Sequence, residues 1–308
     1  MTVFANEEFN WGILGPGGIA QAFAKDLSFI QGHTIAAVGS RSLENAQKFS
    51  ETFGGTAYGS YEELVADPTV DAIYVATPHP AHHDNVILAL NAGKPVLCEK
   101  PFAVNSKEAQ AMVETASRNS VALMEAMWAR FLPHYAKVRE IVKTGVLGPI
   151  LSIHADHGQR LADQGIARLI DPELAGGALL DLGIYPISFE HMILGNPSHI
   201  TSKAVMTEKG VDAQTSMIFC YDSGAQAVLT TTMIEQTPCR AVVAGLNGWL
   251  EIDRTFYNPA SMRVIMHDGT TTEYPNTYKG HGLREQAAEL ERMVRNGEIE
   301  SPLLTHKM

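Results

Sequence analysis

The chain reads as an α/β protein of two domains: an N-terminal doubly wound parallel sheet of Rossmann type, and a C-terminal α+β domain built on a large, mostly antiparallel open sheet. Three observations predict this. The length, 308 residues, exceeds what one small core organises. The first 127 residues alternate short apolar runs with amphipathic stretches, the grammar of strand-helix repeats. Past Trp128 that grammar gives way to extended runs broken by hairpin signals. The boundary is therefore placed between residues 1–127 and 128–308.

In the first half the expected strands are Phe9–Leu14, His33–Val38, Asp71–Ala76, Pro95–Glu99 and Val121–Ala126. Four of them have near-continuous apolar cores, as parallel strands covered on both faces require. The helices between them are Ile19–Phe29, Ser42–Phe53, Ala81–Asn91 and Ser106–Arg118. Ser42 and Ser106 are placed to cap their helices, with Glu following at short range. In the second half a helix to about Thr144 leads through Gly148-Pro149 to a strand, Ile150–Ala155, and a further helix starts near Gly176. Residues 200–275 read as strands, with turns at Asp222-Ser223-Gly224, Asn247-Gly248 and Asp268-Gly269. Thr215–Tyr221 and Gln226–Ile234 have the Val, Ile, Thr and Phe content that strands favour. A helix over Leu283–Arg295 closes the chain.

Composition narrows the function classes. No run of about 18 apolar residues predicts a transmembrane helix, and residues 1–10 lack the basic start and apolar stretch of a secretory signal. Cys98, Cys220 and Cys239 are few and have no C-x-x-C spacing, which argues for a reducing cytoplasm and against a disulfide framework. A formal charge of −11 disfavours nucleic acid and anionic membrane as partners. A single anionic small molecule remains compatible, because a helix N-terminus holds it locally. The pairs His79/His82 and His154/His157 have loose metal-ligand spacing, but no Cys, His or acid completes a set, so no metal is expected.

Gly15-Pro16-Gly17-Gly18-Ile19-Ala20 follows a strand and opens a helix. It matches G-x-G-x-x-A: Gly15 for the tight turn, Gly17 for close approach of a pyrophosphate, and Ala20 for helix-strand packing. The order strand, loop, helix favours a dinucleotide site over an ordinary turn. At the end of the second strand, where an NAD site carries an acid for the ribose 2′-hydroxyl, the chain reads Gly39-Ser40-Arg41-Ser42. Ser40 can donate to a 2′-phosphate and Arg41 can pair with it bidentately, which predicts NADP(H) over NAD(H). The alternative for Arg41 is a solvated surface charge.

Lys100, in Glu99-Lys100-Pro101, stands at the carboxyl end of a strand, where open α/β sheets place ligands. Hydride transfer from an alcohol needs a group to take the hydroxyl proton, and an ammonium beside a cationic ring gives up its own proton more readily. From spacing alone a solvated surface lysine fits equally. On a regular helix Asp181 and Tyr185, four apart, share a face and could grip a polyol while moving a proton. A local hydrogen bond on a half-buried face explains that pair as well.

Four features taken together resemble the glucose-fructose oxidoreductase/inositol dehydrogenase/MocA family over about residues 9–300: the glycine loop, Ala76-Thr77-Pro78-His79-Pro80-Ala81-His82, the Glu-Lys-Pro triplet, and Asp181 with Tyr185. Tyr185 in place of a commoner His resembles the branch holding dimeric dihydrodiol dehydrogenases, NADP-dependent D-xylose dehydrogenases and glucose-fructose oxidoreductase. Glu125–Phe131 and Asp171–Gly177 read like that branch too. The resemblance implies that Thr77, Pro78 and His82 border the cofactor and that Glu99 lies beside the nicotinamide ribose. It assigns the proton to Lys100 and Tyr185, substrate orientation to Asp181, and the pocket wall to Trp128 and Phe131. It also implies a cis peptide before Pro101 and a homodimer or homotetramer formed through the C-terminal sheet, with residues 1–127 binding NADP and 128–308 serving substrate and assembly. His157 stands where the branch commonly has Phe and is expected to face the substrate, making the pocket more polar and an aromatic dihydrodiol less suitable. The chain ends at Met308, before a further helix that many members carry.

The activity implied is hydride exchange between NADP(H) and a CH–OH/C=O group of a sugar, polyol or dihydrodiol. Two other classes exist on this fold: a non-catalytic NADP-sensing regulator and a redox-assisted glycosidase. Lys100 together with Tyr185 speaks against the first, and Tyr rather than His at 185 against the second.

Overall fold

In the computed structural model, which describes residues 8–307, the chain divides into two units. One holds the residues up to Trp128 together with Gly280–Lys307, and the other spans Ala129–Lys279. Most of the stretch inspected for a leader, and the terminal Met308, lie outside the described residues. None of the described helices is long and apolar enough to cross a membrane.

The first unit is a parallel six-stranded sheet in the order β3-β2-β1-β4-β5-β6. Its strands are β1 (Phe9–Leu14), β2 (His33–Gly39), β3 (Thr56–Tyr58), β4 (Ala72–Val75), β5 (Val96–Glu99) and β6 (Leu123–Ala126). Every residue of β4 and β5 is buried, which explains why their sequences read as apolar runs rather than alternations. Helices α1 (Gly18–Leu27), α2 (Leu43–Phe53), α3 (Tyr61–Ala66), α4 (His82–Asn91) and α5 (Ser106–Asn119) connect them. Sheet order reverses between β1 and β4, so the crevice beyond Leu14 and Val75 is the topological switch point where open α/β sheets bind ligands. Ser42 caps α2 through the Asn45 amide, as its position predicts. The cap of α5 is Asn105 rather than Ser106: its side chain accepts from the Glu108 amide at 3.0 Å, and helix geometry starts at the serine.

The C-terminal stretch departs from the sequence-based boundary. Residues 280–307, expected in the second domain, belong to the first unit. Asp26 on α1 is buried and accepts from the amides of His281 (2.8 Å), Gly282 (2.9 Å) and Arg284 (3.0 Å) and from Arg284 Nη1 (3.2 Å). One carboxylate thereby anchors the start of α9 (Arg284–Asn296). Farther on, the Leu123 amide donates to the Ile299 carbonyl at 3.0 Å, and His306 Nε2 bonds the Leu123 carbonyl at 2.8 Å. Apolar periodicity shows that a helix has a face to bury, but not which sheet will cover it.

The second unit is an eight-stranded sheet, ordered β14-β13-β12-β11-β7-β10-β9-β8. Its strands are β7 (Ile150–Gly158), β8 (His199–Met206), β9 (Asp212–Cys220), β10 (Gln226–Thr232), β11 (Ala241–Gly245), β12 (Gly248–Ile252), β13 (Met262–Met266) and β14 (Thr271–Tyr274). Only the β7-β10 pair is parallel. All three turn signals join antiparallel neighbours. Strand alternation buries Ile153, Ala155 and His157 of β7 with Ala227, Leu229 and Thr231 of β10. The unit also holds α6 (Pro133–Thr144), a short α7 (Ala167–Ile170) and α8 (Ile184–Leu194), the last packed against β7 and β10. Ile200, Val205, Ile218 and Val228 remain exposed.

Candidate active site

The first unit builds a cavity of about 460 Å³ at its switch point. Gly15, Pro16, Gly17, Ser40, Ala76, Thr77 and Pro78 line it, joining three segments that the sequence had singled out. Gly15 has φ +94°, and a Cβ there would come within 2.9 Å of Thr77 Cγ2, so the turn after β1 admits only glycine. At Gly17 and Gly18 an added Cβ would meet nothing within 4 Å, so the loop leaves its backbone open to a ligand. No side chain caps α1 and no acid stands in its first turn, which leaves that N-terminus suited to an anion. Gly18 and Ile19 do not line the cavity.

At the end of β2, Ser40 is buried on the cavity wall. Arg41 is exposed and lies off the lining; its charge favours the Tyr61 phenolate, but burial of that ring raises the phenol's pKa. Tyr61 does line the cavity, together with Gln21, Asn45, Lys48 and Thr52 and the rings of Phe49 and Phe53. Sequence reasoning missed these. Asn45 and Lys48, one turn apart on the helix that follows Ser40, carried the legible signal. No carboxylate stands among the lining residues.

Beyond the cavity, the backbone around Lys100 is held from several sides. The Lys100 amide donates to Glu99 Oε2 at 3.2 Å, and the Phe102 amide to Glu125 Oε1 at 3.0 Å. The Lys100-Pro101 peptide is cis, as the resemblance implied. His82 is fully buried, with Nδ1 2.9 Å from the Pro101 carbonyl and Nε2 2.9 Å from the Thr77 carbonyl. It thus ties the two loops together instead of lining the cavity; burial lowers its pKa against the pull of those carbonyls. His79 is buried beside it, with ring centroids 5.8 Å apart, and is likewise off the cavity wall. Glu99 is buried and accepts from the Tyr74 hydroxyl; burial pushes its carboxyl up to about 7, against the opposing effects of Tyr74 and Lys100. Trp128 packs on His281, ring centroids 4.8 Å apart.

The second unit carries Phe131, His157, Asp181 and Tyr185, all buried. Asp181 lies in a π-helical turn, Leu179–Gly183, and Tyr185 follows at the start of α8. The four-residue spacing therefore does not act through a regular α-helix, because the turn between them is wider. Arg168 of α7 donates from Nη1 to Asp181 Oδ1 at 2.7 Å, a partner that the sequence did not reveal. Gly177 makes the turn possible: it has φ +120°, and a Cβ there would strike the Asp212 carboxylate, which accepts from the Leu179 amide at 2.9 Å.

His157 is held from two sides. Its Nδ1 is 3.0 Å from the Leu182 carbonyl and its Nε2 2.8 Å from Gln159 Nε2, so both ring nitrogens are engaged within the protein. The expected role of this ring facing a substrate is thus joined by one within the protein's own fold. Tyr257, also unforeseen, packs its ring 4.0 Å from His157 and 4.7 Å from Tyr185.

Comparison with known proteins agrees with this anatomy. Residues 9–127 match the model of an oxidoreductase family with an NAD-binding Rossmann fold, and 135–251 match a GFO/IDH/MocA C-terminal domain. Trans-1,2-dihydrobenzene-1,2-diol dehydrogenase of Xenopus tropicalis is 36% identical, over 96% of this chain and 92% of its own. D-xylose 1-dehydrogenase (NADP(+)) of Hypocrea jecorina is 37% identical, over 96% and 87%. Among solved structures, aldose-aldose oxidoreductase from Caulobacter crescentus, complexed with glycerol, superposes with a TM-score of 0.89 at 25% identity, covering 98% of this chain and 93% of that one. A 3-ketoreductase from Actinomadura kijaniata, in complex with NADP and TDP-benzene, gives 0.85 at 26% identity, covering 95% and 91%. The chain belongs to the Gfo/Idh/MocA oxidoreductase family.

Proposed function

We propose that the protein is an NADP(H)-dependent dehydrogenase that exchanges a hydride between nicotinamide and a CH–OH/C=O group of a sugar, polyol or dihydrodiol. The observation that carries this reading is the cavity at the switch point, lined by no carboxylate, where an uncapped helix N-terminus stands with Ser40, Tyr61 and Lys48, the last paired with Glu44 at 2.6 Å, and Arg41 next to Ser40 in sequence just outside. That donor set fits a dinucleotide with a 2′-phosphate: the α1 N-terminus for the pyrophosphate, and Ser40, Arg41 and Lys48 for the extra phosphate. Gly15, Pro16, Gly17, Gly18 and Ile19 shape the loop, Ala76, Thr77 and Pro78 continue the wall, His79 and His82 support that segment from behind, and Glu99 is assigned to the nicotinamide ribose. NADP appears in the names of the Hypocrea relative and the Actinomadura complex, and diol and sugar substrates in the names of the relatives.

When bound, the cofactor supplies the hydride acceptor or, in reverse, the donor. The residues do the rest. As the carbinol C–H leaves with its electron pair and the C=O bond forms, the hydroxyl proton is assigned to Tyr185 and Lys100. Asp181, steadied by Arg168, accepts from a neighbouring substrate hydroxyl. Trp128 and Phe131 are assigned to substrate contact. The exposed apolar residues of β8, β9 and β10 support assembly of a homodimer or homotetramer through that sheet, and the free Cys98, Cys220 and Cys239 suit a reducing cytoplasm.

The test is a panel of aldoses, inositols and dihydrodiols offered with NADP⁺ or NAD⁺. Growth of the reduced-nicotinamide absorbance with NADP⁺ supports the proposal. NADPH binding without turnover on any of them indicates a sensor instead.

A further inference from the structure

Tyr185 is followed by Pro186, and a proline has no N–H to give the carbonyl four residues back. That carbonyl belongs to Leu182, in the π-helical turn just before Tyr185. The Ile184 amide, only two residues on, reaches the same oxygen, which leaves it room for a second and better-aligned donor. His157 of β7 supplies it, with Nδ1 3.0 Å from the Leu182 oxygen. Because a carbonyl only accepts, Nδ1 carries the proton and Nε2 presents a lone pair. Gln159 fits that tautomer: its amide nitrogen donates to His157 Nε2 and to the Tyr257 hydroxyl, both at 2.8 Å. Three rings are then locked together. His157 stands edge-on to Tyr185 at 5.2 Å and 68°, while Tyr257 lies tilted over both.

We propose that His157 is a positioning residue for Tyr185: its Nδ1–H replaces the helical bond that Pro186 withholds from Leu182, and Gln159 and Tyr257 hold the imidazole in the orientation and tautomer this requires. The role rests on the proposed chemistry of Tyr185, but the structural link does not. A phenol set a fraction of an ångström away from its acceptor transfers protons poorly, even when binding is intact.

The test compares His157→Phe, His157→Asn and His157→Gln in the full chain with NADPH bound. Asparagine keeps an N–H donor near the position of Nδ1; glutamine carries its donor near Nε2. Two readouts are taken: kcat and KM with a turned-over substrate, and amide hydrogen exchange over residues 179–187. His157→Phe and His157→Gln should lower kcat about tenfold with KM within about twofold, and raise exchange about tenfold. His157→Asn should stay within about threefold of the parent on both. Gln159→Leu, which leaves the fold's other contacts in place, should shift both readouts the same way by about threefold. Equal behaviour of the Phe and Asn variants, or wild-type exchange in His157→Phe, overturns the proposal. If the parent protein turns over no substrate, the functional reading fails alone, and the exchange arm still decides the link from His157 to the Tyr185 turn.

Discussion

Lys100→Met should abolish turnover while leaving NADPH affinity within about twofold, because it removes an ammonium assigned to the proton and leaves the glycine loop alone; stopped-flow absorbance and fluorescence titration check the two halves. Arg41→Asp should shift the NADP/NAD preference toward NAD by about tenfold or more, since a carboxylate repels a 2′-phosphate and suits a 2′-hydroxyl. Glu99 makes a pH prediction. Its carboxyl titrates near 7 in the folded chain against an ordinary 4.5, so between those values the folded state holds a proton that the unfolded state has lost. The resulting stability is complete below about pH 4.5 and disappears as the pH rises through 7, a difference of about 3 kcal/mol. His134 works the other way: burial keeps it neutral down to about 4, so its contribution is present above 6.5 and is lost as the pH falls through 4. The wild-type profile mixes both, and the informative quantity is the difference between Glu99→Gln and wild type. The variant should gain relative stability in urea between pH 5 and pH 8 without cofactor; a constant difference contradicts the assignment. At this scale the glycine loop and Ser40 were readable because a tight turn and a strand end tolerate few residue types. Arg168, Gln159 and Tyr257 were not, because each meets its partner across distant sequence.

The elements show where a pattern stops informing. Buried parallel strands announce themselves as apolar runs, and the hairpins of the second sheet carry turn chemistry at their tips, so both sheets could be predicted. The three residues of β3 and the six of α3 are too short for any period to emerge. The π-helical turn was invisible for a different reason: Asp212, from distant sequence, holds its Leu179 amide, and Gly177 lets that carboxylate approach. Gly177→Ala should therefore lower both Tm and kcat, as the added methyl drives Asp212 away from the Leu179 amide; an unchanged kcat would separate the turn from catalysis. The placement of α9 was equally hidden, since Asp26 selects it through backbone amides that have no sequence signature. Asp26→Asn puts N–H against N–H there and should cost roughly 3 kcal/mol in urea unfolding.

For the molecule as a whole, one family membership accounts for both sheets and the crevice at the reversal of strand order. Finer choices bear on its chemistry, namely Ser40 and Arg41 where an acid would select NAD, and a histidine packed on Tyr185. Sedimentation velocity bears on the second sheet: a dimer or tetramer that dissociates when Ile218 and Val228 are replaced by Lys fits its exposed apolar face, and a monomeric wild type does not. The central claim is NADP-coupled chemistry on a carbinol, and the most direct measurement follows nicotinamide absorbance with NADP⁺ and the panel of aldoses, polyols and dihydrodiols, in wild type and in Lys100→Met. The account predicts reduction by wild type with at least one of these substrates and none by a variant that still binds NADPH. Equal rates in the two proteins, or no reduction by wild type with any substrate of these classes, would contradict it.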